Sequence, residues 1–221
     1  MEMKKSTKKY YFTVEGNTEK WCLDWLQKII NSTEEAIYKV SIDSCVEKNP
    51  LQRAKSLTVI SPVEIYHLSD YESDDEEHIK NFMNTMNNMK AAEKIGKEIT
   101  YKFGYSNFTF DLWIILHNQN CNSPKTNRFQ YLDDINSAYG ESFLSMKQYK
   151  SKENFEKCLA SLKISDIIDA VNRAKNIMKC NADNGYKLYE YKGYRYYKEN
   201  PSLFVWEPIE NILKDCGLYK A

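Results

Sequence analysis

The sequence has little glycine and no excess of charge of either sign. Only seven of its 221 residues are glycine, and none of them cluster, so there is no glycine-rich loop of the kind that cradles phosphates. Without such a loop, nucleotidyl transfer and primer synthesis are less favoured as functions than other metal-dependent reactions. The 31 Lys and Arg residues balance the 31 Asp and Glu residues. Net charge therefore gives no indication of a nucleic-acid or membrane partner.

Disulfide frameworks, zinc sites and long apolar runs are also lacking. The six cysteines are dispersed and form no CxxC pair, which favours reduced thiols in a cytosolic protein. No uninterrupted apolar stretch approaches the roughly 18 residues that a membrane-spanning helix needs. The first residues contain no apolar core of a signal peptide. We therefore expect a soluble, cytoplasmic protein without a membrane partner.

The first half of the chain alternates short β-prone runs with amphipathic helical patterns. Strands are predicted at residues 10–14, 36–42, 63–68 and 98–105. Helical patterns follow Thr18, extend from Glu76 to about Lys94, and return over 108–116. Alternation of this kind indicates an α/β fold with a mostly parallel four-stranded sheet flanked by helices.

The second half follows a different pattern. A polar loop at 118–126 is the best boundary in the chain, dividing it into regions 1–118 and 119–221. The second region is predicted to be mainly helical and to pack on the first. Its predicted elements are helices at 128–138, 151–162 and 164–180, a tyrosine-rich hairpin at 186–197 that turns at Lys192-Gly193, and a last helix starting at 200–202.

Carboxylates follow two of the predicted strands at the point where each strand ends. Glu15 comes directly after the first run, and Asp70 and Glu72 come after the run at 63–68. If these strands are parallel neighbours, their carboxyl ends meet at one edge of the sheet, where open α/β sheets place their sites. Oxygen ligands gathered there suit Mg²⁺. Asp74 could join such a site only if the segment loops back, and each acid could instead belong to a turn or a solvated helix start.

Asp111 is a lone acid in an otherwise apolar helical pattern, and His117 lies near the end of that pattern. Burial of an unpaired carboxylate is costly. Asp111 is therefore expected to have a partner, which could be a metal, a cation or a hydrogen-bonding backbone group. His117 could belong to the same site or could simply stabilise the helix dipole.

The predicted hairpin combines tyrosines with cations. Six tyrosines lie within 186–198, and Lys187, Lys192 and Arg195 are interspersed among them. Cations bind phosphates and aromatic rings stack on unpaired bases, so Tyr189 and these three residues form a candidate nucleic-acid-binding ribbon. The alternative is a hairpin that packs one face on the helices, because tyrosine is a favoured strand residue.

Four segments resemble the RloB family, a group of bacterial defence-associated proteins related to Toprim domains. Phe12–Glu19 resembles the family's opening strand with Glu-Gly and a second Glu, and Leu68–Glu72 resembles its Asp-x-Asp motif. Ser106–His117 is similar to the signature Ser-Asn-Pro-x-Phe-Glu-Leu-Trp-x-Leu-Leu-His, and Asn200–Val205 resembles Asn-Pro-Ser-x-x-Val. Three departures from the family pattern stand out, which are Glu72 for Asp, Phe108 for Pro and Asp111 for Glu.

The resemblance implies a Toprim-like catalytic domain over 1–118 and a function for each acid. Glu15 would be a general base or a metal ligand, and Asp70 and Glu72 would bind Mg²⁺ (or Mn²⁺). Glu19 would contact a second metal, and Asp111, with His117, would join the same cleft. No tyrosine lies in a topoisomerase-like setting, which favours hydrolysis over religation.

Two functions from different classes remain open at this point. The first is a Mg²⁺-dependent Toprim-type nuclease that hydrolyses RNA or DNA in anti-phage defence or abortive infection. The second is a non-catalytic sensor or adaptor that binds a phage component or regulates a partner ATPase. The sequence does not indicate an oligomeric state. Metal binding separates the two, because an adaptor with a decayed site would not be stabilised by Mn²⁺.

Overall fold

The computed structural model describes residues 5–220 and contains a five-stranded sheet with the order β2-β1-β3-β4-β7. The first four of these strands are mutually parallel, and β7 pairs with β4 in the antiparallel direction. The mostly parallel sheet is therefore confirmed, with one more strand than the four predicted. The strands are β1 (Thr7–Val14), β2 (Lys39–Val46), β3 (Val63–Asp70), β4 (Ile99–Asn107) and β7 (Ser202–Leu203).

Nine α-helices and a separate hairpin complete the described part of the chain. The hairpin consists of β5 (Tyr189–Tyr191) and β6 (Tyr194–Tyr196) and turns at Lys192-Gly193, as predicted. Among residues 5–220, no helix is both long enough and apolar enough to cross a bilayer. The helices are α1 (Asn17–Ser32), α2 (Pro50–Ser56), α3 (Glu76–Ala92), α4 (Asp111–Ile115), α5 (Tyr131–Tyr139), α6 (Met146–Tyr149), α7 (Lys152–Ala160), α8 (Ile164–Asp183) and α9 (Trp206–Asp215).

Two hydrophobic clusters cover the two faces of the sheet, because successive strand side chains point to opposite sides. Phe12 and Val14 of β1 face a cluster that includes Trp113 of α4 and apolar residues of α1, α8 and α9. Ile65 of β3 and Tyr101 of β4 face the second cluster, to which α3 and the hairpin contribute. The first cluster thus contains residues of both predicted regions, 1–118 and 119–221.

Two elements are shifted along the chain by several residues from their predicted positions. The second strand lies at Lys39–Val46 instead of 36–42. The last helix begins at Trp206 because residues 202–203 first join the sheet, where the Phe204 N–H donates to the Tyr105 carbonyl at 2.8 Å. This edge strand is only two residues long, so it leaves no alternating pattern in the sequence.

Candidate functional site

The carboxyl ends of β1, β3 and β4 meet at one edge of the sheet. In the parallel register Val14 lies beside Leu68, and Asp70 lies beside Ser106. A cavity of about 440 Å³ opens at this edge. Most of the acids singled out in the sequence line it, together with four cations. Its charged lining residues are Glu15, Glu19, Asp70, Glu72, Asp111, Lys48, Arg128, Lys147 and Lys150.

Glu15 follows β1 and is anchored by the end of β3. The Ser69 hydroxyl donates to Glu15 Oε1 at 2.7 Å, and the Asp70 backbone N–H lies 3.4 Å from Oε2. Burial raises the pKa of Glu15, and these two hydrogen bonds only partly oppose that shift. Glu15 and Asp70 thus lie together, as the parallel-strand argument requires.

Glu19 lies in the first turn of α1 and is almost fully buried. The Thr18 hydroxyl donates to its Oε2 at 2.9 Å. Burial raises the pKa of Glu19, while nearby Lys150 lowers it. A Cβ atom at Gly16 would lie 3.0 Å from Glu19 Oε2. The glycine of the Glu-Gly motif therefore leaves room for this carboxylate.

Asp70 is the last residue of β3 and faces several other acids. Burial raises its pKa well above the usual value, and the charges of Glu19 and Glu15 raise it further. In the part of the chain that the structure describes, none of these three acids makes an ion pair with Lys or Arg within 4.0 Å. The negative charge at this edge is consequently only partly balanced.

Asp111 begins α4 and has no exposed surface. Its Oδ2 accepts from the Thr109 hydroxyl at 2.9 Å and pairs with Lys150 Nζ at 2.8 Å, whereas Oδ1 has no hydrogen-bond partner. Burial opposes the charged form of Lys150, but Asp111, Asp70 and Glu19 outweigh it and raise the Lys150 pKa. Asp111 therefore has the partner that its burial requires, and this partner is the Lys150 ammonium.

Lys150 is the residue that the sequence reasoning missed. It follows the four-residue helix α6 and lies in a segment with several other lysines, so no pattern distinguishes it. The sequence indicates a cation such as Lys150 only indirectly, because a buried acid such as Asp111 requires a partner. Lys48 and Arg128 were missed as well, because they lie in a loop and in a 3-10 turn that are far apart in sequence.

Glu72 and Asp74 are placed differently from the inner acids. Glu72 lines the cavity but is engaged by His78 Nε2 at 2.9 Å and by the Arg128 guanidinium at 3.3 Å. Asp74 is exposed, accepts from the Tyr71 hydroxyl at 2.6 Å and does not line the cavity. The segment after β3 therefore does not loop back to bring Asp74 beside Asp70.

His117 is buried in the core and does not line the cavity. Its Nδ1 lies 3.0 Å from the Trp113 carbonyl and 3.2 Å from the Ile114 carbonyl. Burial lowers the pKa of His117 to about 4, so the ring is neutral at neutral pH. Its ring packs edge-on against Trp25 and Trp113. In this arrangement His117 contributes packing beneath the site.

The hairpin packs on the opposite face of the sheet from α1. Tyr196 of β6 is buried and stacks near Tyr71 and Tyr189. Lys187, Lys192 and Arg195 are exposed, and the Lys187 ammonium lies 4.8 Å from the centre of the Tyr189 ring. None of the four predicted nucleic-acid-binding residues lines the acidic cavity.

The donor chemistry of the cavity suits a divalent cation, although the side chains do not converge on one point. The inner acids offer only oxygen ligands, and Asp111 Oδ1 is buried without a partner. Within residues 5–220, no group of three or more His, Cys, Asp or Glu side chains is arranged to hold a metal ion. Binding of an ion would therefore require rotation of these carboxylates.

Comparison with known proteins gives one match. A family model described as RloB-like protein matches residues 10–212 of the chain. No curated protein and no solved structure matches it.

Proposed function

The chain belongs to the RloB-like protein family, and on this premise we propose that it is a Mg²⁺-dependent (or Mn²⁺-dependent) nuclease of Toprim type. It would hydrolyse phosphodiester bonds of RNA or DNA in defence against phage. One observation supports this function above all others. Glu15, Glu19, Asp70 and Asp111 meet in one cavity at the carboxyl ends of parallel strands, and among these four acids of the described chain only Asp111 makes an ion pair within 4.0 Å. The defence role rests on the family resemblance alone.

Asp70, Glu19 and Asp111 are the residues that would hold the cation. The charge of each influences another member of the group, and Lys150 is the cation that faces all three. A bound Mg²⁺ would polarise a phosphoryl oxygen and lower the pKa of a water molecule. Burial and the charges of neighbouring acids raise the pKa values of Glu19 and Asp70, and a bound divalent cation would lower them by stabilising the charged carboxylates.

Glu15 is the candidate general base. Ser69 and the Asp70 backbone N–H fix its carboxylate at the cavity wall, and burial raises its pKa, which makes the carboxylate a better proton acceptor. Lys150 would stabilise negative charge on the phosphate, since its side chain lines the cavity and is about one-third exposed while it pairs with Asp111.

The test is cleavage of labelled RNA and DNA in Mg²⁺ or Mn²⁺ by the parent and by Glu15→Gln and Asp70→Asn. Each variant should lose activity by about a hundredfold or more, because proton transfer and charge stabilisation each contribute at least that much. Glu77→Gln is the control, because Glu77 is an exposed acid in the first turn of α3 and does not line the cavity. If both site variants cleave as well as the parent, the catalytic assignment is wrong.

A non-catalytic sensor or adaptor, which binds a phage component or regulates a partner ATPase, is the second candidate. It is favoured by the pairing of Asp111 with Lys150 and by the lack of a converging three-ligand group among the described residues. Thermal unfolding with added Mn²⁺ separates the two functions. A nuclease should be stabilised by Mn²⁺ in the parent and not in Asp70→Asn, whereas an adaptor should melt at the same temperature with and without the metal.

A further inference from the structure

The mouth of the acidic cavity carries an aromatic ring and several cations that the metal chemistry does not use. Arg128 and Phe129 lie in a 3-10 turn, Lys147 lies in α6, and Lys48 follows β2. All four residues line the cavity, and all four are exposed. These four residues are called the rim below.

Phe129 has no packing function in the fold. Its exposed fraction is 64%, and within residues 5–220 it is the only exposed residue among the phenylalanines and tryptophans. The turn that carries it is nevertheless well ordered by hydrogen bonds, because Asn127 Oδ1 accepts from the Phe129 N–H at 3.0 Å. Gln130 Oε1 accepts from the Thr126 N–H at 2.8 Å. An apolar ring is thus held in solvent at the mouth of a polar cavity.

The three cations of the rim line the same cavity as this ring. The Arg128 guanidinium lies 5.5 Å from the centre of the Phe129 ring and also contacts Glu72, another residue of the cavity lining, at 3.3 Å. Lys147 and Lys48 have no ion-pair partner within 4.0 Å in the described part of the chain. Cations that line one cavity together with an exposed aromatic ring are the elements with which proteins bind single strands, since phosphates pair with the cations and bases stack on the ring.

We propose that the rim binds an unpaired nucleotide of a single-stranded nucleic acid, whose base stacks on Phe129 while Arg128, Lys147 and Lys48 bind the flanking phosphates. This inference deepens the proposed nuclease function and rests on it. The cavity of about 440 Å³ has the size of a site for one small ligand. In a duplex each base is stacked and paired, so its face is not available to Phe129. Paired substrate should therefore bind weakly.

The test measures binding separately from cleavage. Labelled single-stranded RNA, single-stranded DNA and duplex DNA are titrated with the parent protein in EDTA, and fluorescence anisotropy gives each Kd. We expect at least one single strand to bind about tenfold more tightly than the duplex, because a base stacked on an aromatic ring contributes about that much. Comparison of the Kd values for single-stranded RNA and single-stranded DNA shows which sugar the site prefers.

Variants of the ring test its function directly. Phe129→Ala should weaken single-strand binding about tenfold, which corresponds to about 1.4 kcal/mol, and Phe129→Trp should restore it. Leu144→Ala is the matched control, because Leu144 is an exposed apolar residue that does not line the cavity. Its Kd should equal that of the parent. Thermal unfolding of each variant checks that the fold is retained.

Variants of the cations test the phosphate contacts. Arg128→Gln and Lys147→Gln should each lower the slope of log affinity against log salt concentration by about 0.7, the value expected for one phosphate contact on a single strand. Lys94→Gln is the control, because Lys94 is exposed and does not line the cavity. Its salt slope should match that of the parent.

The outcomes separate this inference from the nuclease proposal. Equal affinity for single strand and duplex, or equal Kd values for Phe129→Ala and Leu144→Ala, would overturn the single-strand site even if the parent cleaves nucleic acid. Binding of single strands that depends on Phe129, without cleavage in Mg²⁺ or Mn²⁺, would overturn the nuclease and leave a nucleic-acid-binding module.

Discussion

Replacement of Lys150 by Met should destabilise the protein by about 3 kcal/mol, because it leaves the Asp111 carboxylate buried without its cation. Met keeps most of the apolar length of the lysine side chain and removes only the charge. Asp111 has no exposed surface, and its Oδ1 already lacks a hydrogen-bond partner. The Thr109 hydroxyl is then the remaining donor to its Oδ2.

The expected magnitude follows from the burial of the pair. Removal of one partner from a buried ion pair costs about 3–5 kcal/mol. Lys150 is 35% exposed, so solvent screens the interaction and places the cost at the lower end of that range. A chain of this size loses about 2–4 °C in Tm for each kcal/mol. The melting temperature of Lys150→Met should therefore fall by about 6–12 °C.

The assay is thermal and urea unfolding of Lys150→Met, Asp111→Asn and the double variant without divalent metal. The double variant should be more stable than Lys150→Met alone, because no unpaired charge remains buried. Lys157→Met is the control, since Lys157 pairs with Glu141 at 2.6 Å but is 63% exposed. Its cost should stay below about 1 kcal/mol. A melting temperature of Lys150→Met within about 1 °C of the parent, or additive costs in the double variant, would refute the reasoning.

Three further predictions follow from other parts of the structure. Burial lowers the pKa of His117 to about 4, so the unfolded chain binds a proton near pH 6.5 that the folded chain does not bind. Stability should therefore be lost as pH falls between these values, by up to about 3 kcal/mol, and His117→Gln should show a shallower pH dependence of unfolding in urea. Gly104→Ala should cost about 1–3 kcal/mol in urea unfolding, because the new Cβ would lie 2.8 Å from Leu68 Cδ2; unchanged stability would contradict this clash. Ser69→Ala removes a hydrogen bond that lowers the pKa of Glu15, so the acidic limb of the cleavage rate should move to higher pH, and an unmoved limb would exclude Glu15 as the base.

The sequence predicted the parts of the fold that depend on local pattern. Alternation of strand and helix signals located β1, β3 and α3, and the parallel-strand argument brought Glu15 and Asp70 to one edge. Such patterns extend over many residues, because each strand or helix must bury one face. β7 could not be found in this way, since two residues carry no periodicity and pair with β4 only through tertiary contacts.

The composition of the site was harder to predict than its position. Lys150 reaches Asp111 through the packing of the second half of the chain, which local pattern does not specify. Asp74 is a candidate in the sequence because it follows β3 closely, yet the Tyr71 hydroxyl binds it outside the cavity. The exposure of Phe129 could not be predicted, because phenylalanine is most often buried and no local pattern distinguishes this residue.

The short strand β7 has a consequence for how the protein is made. Asn107, at the end of β4, donates through its side-chain amide to the carbonyls of Lys198 and Glu199 at 2.7 and 3.3 Å, just before β7 pairs with the same strand. The turn that carries Asp111 is therefore braced by residues some ninety positions later. These contacts can form only after the ribosome has translated the chain past Leu203. The cleft that holds Asp111 therefore remains incomplete until that point of synthesis.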